Sequence, residues 1–312
     1  MKSIVAFFIV FMCASVAMAQ NKPFSIVALG DMPYFLPEDY ARFDNVIKAI
    51  NEQNQVFTVH VGDIKSSSTP CSEEAYKKTL SYFQQFNKPL IYTPGDNEWT
   101  DCSKKEAGSY DSEERLSVIR KMFFADTKSF GKEKIQLTSQ SKSAGFAKYV
   151  ENNRWKLNGI SFATVHLVGS NNNFLATDKK LTDEFFDRDK ANSAWINEVF
   201  AEAKASNSLG VVLFTQADMF NADKGTTGFN NFLEVLKALT IDYGKQVVLV
   251  NGDSHKYIVD KPFIRDKKTK KVVENFTRVQ VFGEQDMHVV KITFNPTSPS
   301  FFYTEQLIVK GN

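Results

Sequence analysis

The chain is predicted to be an α/β protein in which a mixed β-sheet, or two packed sheets, is covered by helices. Short, nearly continuous apolar runs alternate with segments whose apolar residues recur at helical spacing. After this alternation the chain ends in three strand-like runs with no helical pattern between them. Alternation followed by a run of strands is typical of this fold class.

Six early runs are apolar along nearly their whole length, as expected of strands that are buried on both faces. They occupy residues 25–29, 56–61, 90–93, 160–168, 211–215 and 246–250. The C-terminal runs occupy residues 278–282, 289–294 and 301–309, and we expect these three to form an antiparallel meander.

Amphipathic helices are predicted between the early strands because apolar residues there recur every three or four positions. The stripes are Phe43, Val46, Ile47 and Ile50, then Trp195 and Val199, then Phe229, Phe232, Leu233 and Leu236. We expect each stripe to pack on a sheet.

The first 19 residues have the pattern of a secretory signal peptide. Lys2 precedes an apolar stretch over residues 4–16, and Ala17-Met18-Ala19 supplies small residues for cleavage after Ala19. An uncleaved anchor is the alternative, but the stretch is shorter than the roughly 20 residues that cross a bilayer. A lipoprotein modified at Cys13 is disfavoured by the bulky Met12 before it. The mature chain, residues 20–312, is predicted to be one domain, secreted or periplasmic, with no stable membrane insertion after cleavage.

Charge does not point to a polyanionic partner. The net charge is +2 at pH 7, and the pI is about 8.2. Neither value favours nucleic acid or an anionic membrane as the main partner. The oligomeric state stays open.

Cleavage after Ala19 leaves two cysteines, Cys71 and Cys102. In an oxidising compartment an even pair is expected to form a disulfide. Two unrelated buried thiols are the alternative.

Five of the apolar runs end in side chains that bind metals or phosphate. The polar residues that follow these runs are Asp31, Asp63, Asp96-Asn97-Glu98, Gln216 and Asp253-Ser254-His255. Each of the four aspartates follows a glycine. Because loops at the carboxyl ends of parallel strands lie at one sheet edge, we expect these residues to meet. Crowded carboxylates repel one another and are usually neutralised by cations, so the pattern predicts a metal site.

The order of these segments resembles the calcineurin-like metallophosphoesterases. Their signature runs Asp-x-His, Gly-Asp-x-x-Asp, Gly-Asn-His-Asp/Glu, a lone His, and Gly-His-x-His. The corresponding segments here are Asp31-Met32-Pro33, Gly62-Asp63-Ile64-Lys65-Ser66, Gly95-Asp96-Asn97-Glu98, Gln216, and Gly252-Asp253-Ser254-His255. The resemblance implies a four-layer α/β/β/α sandwich with two mixed β-sheets.

The resemblance also implies a site for one or two divalent ions. The first would be held by Asp31, Asp63 and His255, and the second by Asp63, Asp96, Gln216 and Asp253. The chain departs from the family where Pro33, Asn97, Gln216 and Asp253 replace histidines. Because the remaining ligands are mostly oxygens, Mg²⁺ or Mn²⁺ is favoured, Ca²⁺ is acceptable, and Zn²⁺ or Fe is less expected.

These residues predict an exported phosphoesterase that hydrolyses small phosphomonoesters or phosphodiesters with a metal-activated water. Asn97 and His255 are the predicted catalytic residues, although Asn97 can donate a hydrogen bond but not a proton. The alternative is a noncatalytic protein on the same fold that binds a metal or an anion.

Several further residues lie close to the predicted site in sequence. Asn171 and Asn172, within the polar loop 169–173, are predicted to bind substrate, with a simple Asn-rich turn as the alternative. A Cys71–Cys102 bond would join the loops that follow Asp63 and Asp96. His60 and His166 are expected to support the site or pack in the core. Lys65 and Arg188 could steady a phosphate, with exposed salt bridges as the alternative.

Overall fold

The computed structural model describes residues 22–221 and 227–312. The predicted signal peptide, residues 1–19, and its cleavage site lie outside the described residues. No helix among the described residues is long and apolar enough to cross a membrane.

Two large β-sheets form the centre of the fold. The first has five strands in the order β14 (Phe302–Leu307), β13 (Val289–Phe294), β1 (Phe24–Leu29), β2 (Thr58–His60) and β3 (Leu90–Tyr92). The second has seven strands in the order β4 (Thr138–Ser139), β5 (Asn153–Leu157), β6 (Ile160–Thr164), β7 (Gly210–Phe214), β8 (Gln246–Asn251), β12 (Phe276–Gln280) and β9 (Ile258–Asp260). Strands β10 (Ile264–Asp266) and β11 (Lys271–Val272) form a separate hairpin.

Each sheet is parallel in its middle and antiparallel toward its edges. In the first sheet β1, β2 and β3 are parallel, with Ala28 opposite Val59, while β13 and β14 run antiparallel. In the second sheet β6, β7, β8 and β12 are parallel, while β4, β5 and β9 are antiparallel to their neighbours. Both sheets are therefore mixed.

Helices cover the outer face of each sheet. They are α1 (Asp39–Asn51), α2 (Glu73–Phe83), α3 (Ser112–Phe123), α5 (Lys179–Ala205) and α6 (Asn230–Tyr243), together with a four-residue segment, α4 (Gly169–Asn172). Side chains of α1, α2 and α3 pack on the first sheet, and side chains of α5 and α6 pack on the second.

The period of two along a strand explains this layering. In β1, Ile26 and Ala28 enter the core between the two sheets, whereas Val27 and Leu29 pack under the helices. The predicted stripes on α1, α5 and α6 face the sheets. The predicted four-layer α/β/β/α sandwich is confirmed.

The predicted C-terminal meander is wrong in one strand. β12 does not pair with β13; it lies in the other sheet, parallel to β8 and antiparallel to β9. All five of its residues are buried, as expected of a strand flanked on both sides. The predicted strand over residues 160–168 is also too long, because β6 ends at Thr164 and the Leu167 N–H bonds back to the Val165 carbonyl.

Candidate active site

The carboxyl ends of the parallel strands of both sheets meet at one edge of the sandwich, and the predicted site residues lie there. Asp31 follows β1, Asp63 follows β2 and Asp96 follows β3, while Gln216 and Asp253 follow β7 and β8. These residues touch across the two sheets. The Asp253 N–H lies 3.0 and 3.1 Å from the two carboxylate oxygens of Asp31.

His255 lies beside Asp31, as the sequence predicts. Its Nε2 is 3.5 Å from Asp31 Oδ1, and its Nδ1 pairs with Glu284. The ring of Tyr34 packs edge-on against the imidazole at 5.4 Å. The His255 side chain is 28% exposed, so it stands at the mouth of a cluster in which Asp31, Asp63 and Asp96 are buried.

Asp63 accepts hydrogen bonds from three protein donors. The Asn97 N–H donates to Oδ1 at 3.1 Å. The Tyr34 hydroxyl at 2.8 Å and the Gln216 amide at 3.1 Å both donate to Oδ2. The Asn97 side-chain amide in turn donates to the Tyr34 oxygen at 2.8 Å. Both carboxylate oxygens of Asp63 therefore have protein partners.

The orientation of the Gln216 side chain follows from its other contact. The Gly169 N–H donates to Gln216 Oε1 at 2.6 Å. Because a backbone N–H requires an acceptor, the amide nitrogen of Gln216 must be the atom that faces Asp63. Gln216 thus presents an N–H, and not its carbonyl, to the carboxylate.

Asp96 has one bonded and one open oxygen. Its Oδ2 accepts a hydrogen bond from the Ser170 hydroxyl at 2.8 Å. Its Oδ1 is buried and accepts none from the residues that the structure describes. An unbonded buried carboxylate oxygen is costly, and a bound cation would satisfy it.

Two of the glycines that precede the aspartates are required by close packing. A Cβ on Gly95 would lie 2.0 Å from Asp63 Oδ1, and one on Gly252 would lie 2.2 Å from Asp31 Oδ2. Each glycine therefore makes room for the carboxylate of another strand. Residues in the left-handed region also concentrate here, with φ of 54° at Asp31, 56° at Asp63 and 72° at Asp253. Such conformations in non-glycine residues are uncommon and cluster at functional sites.

Burial dominates the electrostatics of the cluster. It raises the pKa of Asp96 from 3.8 to about 7, with further rises from nearby Asp253 and Asp101. Burial also raises the pKa of Asp63 well above its ordinary value, and the charges of Asp96 and Glu98 add to this rise. These shifts mean that the cluster resists carrying its full negative charge without a compensating cation.

The pKa of Asp31 is also raised, but a contact with His255 opposes the rise. Burial raises its pKa, while the hydrogen bond and the charge of His255 lower it.

Three buried side chains hold the loops of the site without joining the carboxylate cluster. Glu98 Oε1 accepts hydrogen bonds from the N–H groups of Gly95 at 2.7 Å and Asp63 at 3.2 Å. Lys65 donates to the Asn97 carbonyl at 2.5 Å. His60 contacts the Met32 carbonyl at 3.2 Å, and burial lowers its pKa to about 4, so its ring is neutral. His60 thus has the supporting position that the sequence predicts. Lys65 is buried and holds a backbone carbonyl, so the exposed salt bridge weighed as its alternative role is wrong.

The loop around α4 approaches Asp96 through Ser170. Four successive residues, 170–173, have φ between 51° and 61°. The Asn171 side chain accepts from the Gly228 N–H and donates to Thr227, and the Asn172 amide donates to the Gly228 carbonyl. Their predicted role in substrate binding stays a prediction.

A buried charge network supports the same loop. Arg188 donates to both the side-chain and the backbone oxygen of Asn172 and pairs with Glu184. His166 Nδ1 lies 2.9 Å from Glu151, which also pairs with Arg120. Arg188 and His166 therefore act structurally in this arrangement.

The predicted disulfide is formed. Cys71 and Cys102 are bonded, with 5.7 Å between their Cα atoms. The Cys71 loop follows Asp63 and the Cys102 segment follows Asp96. The bond therefore restrains two carriers of the carboxylate cluster.

The sequence prediction missed Tyr34, Ser170 and Glu284. Tyr34 and Ser170 each donate a hydrogen bond to a cluster carboxylate, and Glu284 pairs with His255. Tyr34 directly follows Pro33, where the resembling family has a histidine. The missing histidine was the one sequence signal that could have drawn attention to Tyr34. Glu284 lies in the loop between β12 and β13, which carries no recognisable motif.

The donor set fits a hard divalent cation in its chemistry, since it is rich in buried carboxylates and contains the open Asp96 Oδ1. Among the described residues, however, no group of three or more His, Cys, Asp or Glu side chains is arranged to hold a metal ion. Tyr34 and Gln216 both donate to Asp63 Oδ2, so this oxygen would be available to a cation only if both side chains turned away.

Comparison with known proteins identifies the fold. No family model matches the sequence, and no curated protein matches it. A dimetal phosphatase from Danio rerio superposes with a TM-score of 0.55 at 11% identity, over 92% of this chain and 99% of the other. A purple acid phosphatase from yellow lupin (Lupinus luteus) seeds superposes with a TM-score of 0.54 at 15% identity, over 94% of this chain and 53% of the other. The chain therefore has a metallophosphoesterase-type fold, and at these identities the likeness concerns the fold alone.

Proposed function

We propose that this protein is an exported, cation-dependent hydrolase of small phosphomonoesters or phosphodiesters. One observation carries the proposal. Asp31, Asp63 and Asp96 are buried in one cluster with Asp253, and no Lys or Arg among the described residues forms an ion pair with these three. Burial, with the charges of neighbouring carboxylates, raises the pKa of all three, and a bound cation would stabilise their ionised forms.

The residues that would hold one or two cations are those predicted from the sequence: Asp31, Asp63, Asp96, Gln216, Asp253 and His255. Their oxygen-rich chemistry favours Mg²⁺ or Mn²⁺, allows Ca²⁺ and makes Zn²⁺ or Fe less suitable. A bound cation would supply charge for the phosphoryl oxygens and lower the pKa of a water.

The chain's own residues would orient the ester. Asn97 and Tyr34 form a hydrogen-bonded pair beside Asp63, at 2.8 Å between Asn97 Nδ2 and the Tyr34 oxygen. If Tyr34 turned away from Asp63, both groups would be donors for an oxygen of the substrate. His255, at the mouth of the cluster and paired with Glu284, would orient the opposite side of the phosphate.

Other observations agree with this proposal. The Danio rerio and lupin proteins that share the fold are phosphatases by name. Export is supported by the pattern of residues 1–19 and by the disulfide, which persists in oxidising compartments. The partner we propose is therefore a small phosphoester, with no nucleic acid and no stable membrane insertion after cleavage.

A noncatalytic protein that binds a cation or an anion is the second candidate. It is favoured by Asp63, whose two oxygens already accept hydrogen bonds from Asn97, Tyr34 and Gln216. In such a protein these donors would take over the charge-balancing role that metal ions have in a catalytic site.

The decisive experiment is hydrolysis of 4-nitrophenyl phosphate and of its bis-ester by chelator-treated protein refilled with Mg²⁺, Mn²⁺, Ca²⁺ or Zn²⁺. Asp63→Ala should abolish turnover, whereas Asp44→Asn, on the exposed face of α1, should not. Calorimetry of the same samples measures cation uptake directly. Uptake without turnover would select the noncatalytic candidate, and an absence of both would reject the cation site itself.

A further inference from the structure

We propose that a groove beside the carboxylate cluster binds the organic group of the substrate and selects esters that carry a planar aromatic ring. This inference rests on the proposed function, because it places a phosphoester at the cluster. The groove has a volume of about 760 Å³ and lies between the loop that follows β1 and the loop that follows β2. These are the loops that carry Asp31 and Asp63.

Tyr34 connects the groove to the cluster. Its hydroxyl donates to Asp63 at 2.8 Å, and its side chain also lines the groove. Ser66, in the loop that leaves Asp63, borders the groove as well. An ester group that extends from a phosphate at the cluster along the Tyr34 side chain would reach this groove.

The lining is aromatic along one wall. Tyr34, Phe35 and Tyr40 all contribute, and Phe35 is 61% exposed. Phe and Tyr rings prefer to pack against other aromatic rings in offset or edge-to-face arrangements. Lys78 also lines the groove, with its amino group 4.9 Å from the ring centre of Tyr40 and 4.7 Å from that of Tyr82.

Local contacts hold the backbone of both walls. Asp39 Oδ2 accepts the N–H groups of Tyr34 at 3.1 Å and of Phe35 at 2.8 Å. On the opposite wall, Pro70 and Ser72 line the groove on either side of Cys71, which the disulfide ties to Cys102. A wall whose backbone is already held loses little backbone conformational entropy when a ring binds to it.

The charges of the groove argue against a second phosphate as its occupant. Its charged side chains are Lys78, Glu38 and Glu74, which together are net negative. A polyphosphate arm would be repelled, whereas an uncharged planar ring would not. The substrate class that fits is therefore an aryl or heteroaryl phosphoester.

The test compares phenyl phosphate with glycerol phosphate as Mn²⁺-dependent substrates of the full-length mature protein. In parallel, calorimetry measures the binding of phenylphosphonate and propylphosphonate, which cannot be hydrolysed. Phe35→Ala is the test variant. Phe186→Ala is its matched control, since Phe186 is 58% exposed but packs against Phe174 and Phe185 away from the groove.

Phe35→Ala should lower the preference for the phenyl over the aliphatic compound by about five- to tenfold, as expected for the loss of one aromatic contact. Phe186→Ala should leave that preference unchanged. If phosphonate binding shows a phenyl preference that only Phe35→Ala lowers, while no ester is hydrolysed, the groove is supported as a binding site and the proposed hydrolysis is refuted. Equal affinity for the two phosphonates, or a preference that survives Phe35→Ala, would overturn the groove whatever the hydrolysis assay shows.

Discussion

Replacing Asp96 by asparagine is expected to stabilise the cation-free protein, by an amount that grows from pH 5 to pH 8. Burial, with contributions from Asp253 and Asp101, raises the pKa of Asp96 from 3.8 to about 7. Over that interval the folded protein binds more protons than the unfolded chain. Its free energy of unfolding therefore falls as pH rises, and the loss is complete above the folded pKa.

The magnitude follows from the same values. A pKa that rises from 3.8 to about 7 corresponds to a loss of ~4 kcal/mol above pH 7, of which ~3 kcal/mol develops between pH 5 and pH 8. The amide that replaces the carboxyl group in Asp96→Asn would have no proton to lose, and its carbonyl could still accept the hydrogen bond from Ser170. The variant should therefore gain about 3 kcal/mol relative to the wild type over this range.

Urea unfolding in a chelating buffer at pH 5, 6, 7 and 8 measures the difference. Asp44→Asn, on the exposed face of α1, is the matched control and should show no such trend. Excess Mg²⁺, Mn²⁺ or Ca²⁺ should remove the advantage of Asp96→Asn, because the cation stabilises only the ionised wild type. A stability difference that is the same at all four pH values would refute the electrostatic reasoning.

Three further predictions concern other parts of the molecule. Cys102→Ser removes the disulfide that closes a loop of sequence separation 31, and it should lower the free energy of unfolding in urea by ~3–4 kcal/mol. Reductant should destabilise the wild type by the same amount. A wild type that is insensitive to reductant would contradict this. Burial would raise the pKa of Glu151, but the charges and hydrogen bonds of Arg120 and His166 outweigh it and hold the pKa below 4.5. Stability monitored by circular dichroism should therefore fall as pH drops below about 4.5, and less steeply in Glu151→Gln. Gly95→Ala would place a Cβ 2.0 Å from Asp63 Oδ1, so calorimetry should detect at least tenfold weaker cation binding. An affinity equal to that of the wild type would show that the loop moves to accommodate the methyl group.

Local patterns in the chain were sufficient for most of the fold. Continuous apolar runs predicted the central strands, and stripes such as Phe43 to Ile50 predicted the buried faces of the helices. The two periodicities depend only on neighbouring residues, so they can be read without knowing the partner of an element. The convergence of Asp31, Asp63, Asp96 and Asp253 was predictable for a related reason, since parallel strands present their carboxyl ends at one edge.

The pairing of individual strands and the partners of side-chain hydrogen bonds could not be predicted in this way. Nothing local to residues 276–280 indicates that β12 joins β8 in the second sheet, because an apolar run has the same pattern beside any neighbour. Likewise, nothing near these residues in sequence indicates that the Tyr34 hydroxyl donates to Asp63 or that Asp96 Oδ1 is left without a donor among the described residues.

The sequence alone thus specified the buried faces of the main helices and central strands, and which carboxylates would lie at the sheet edge, because both follow from short-range spacing and strand direction. Only the folded chain decided which donors reach Asp63, that Gln216 turns its N–H toward it, and that Ser170 contacts Asp96. These contacts join residues far apart in sequence, and their geometry depends on how the two sheets and their loops pack together.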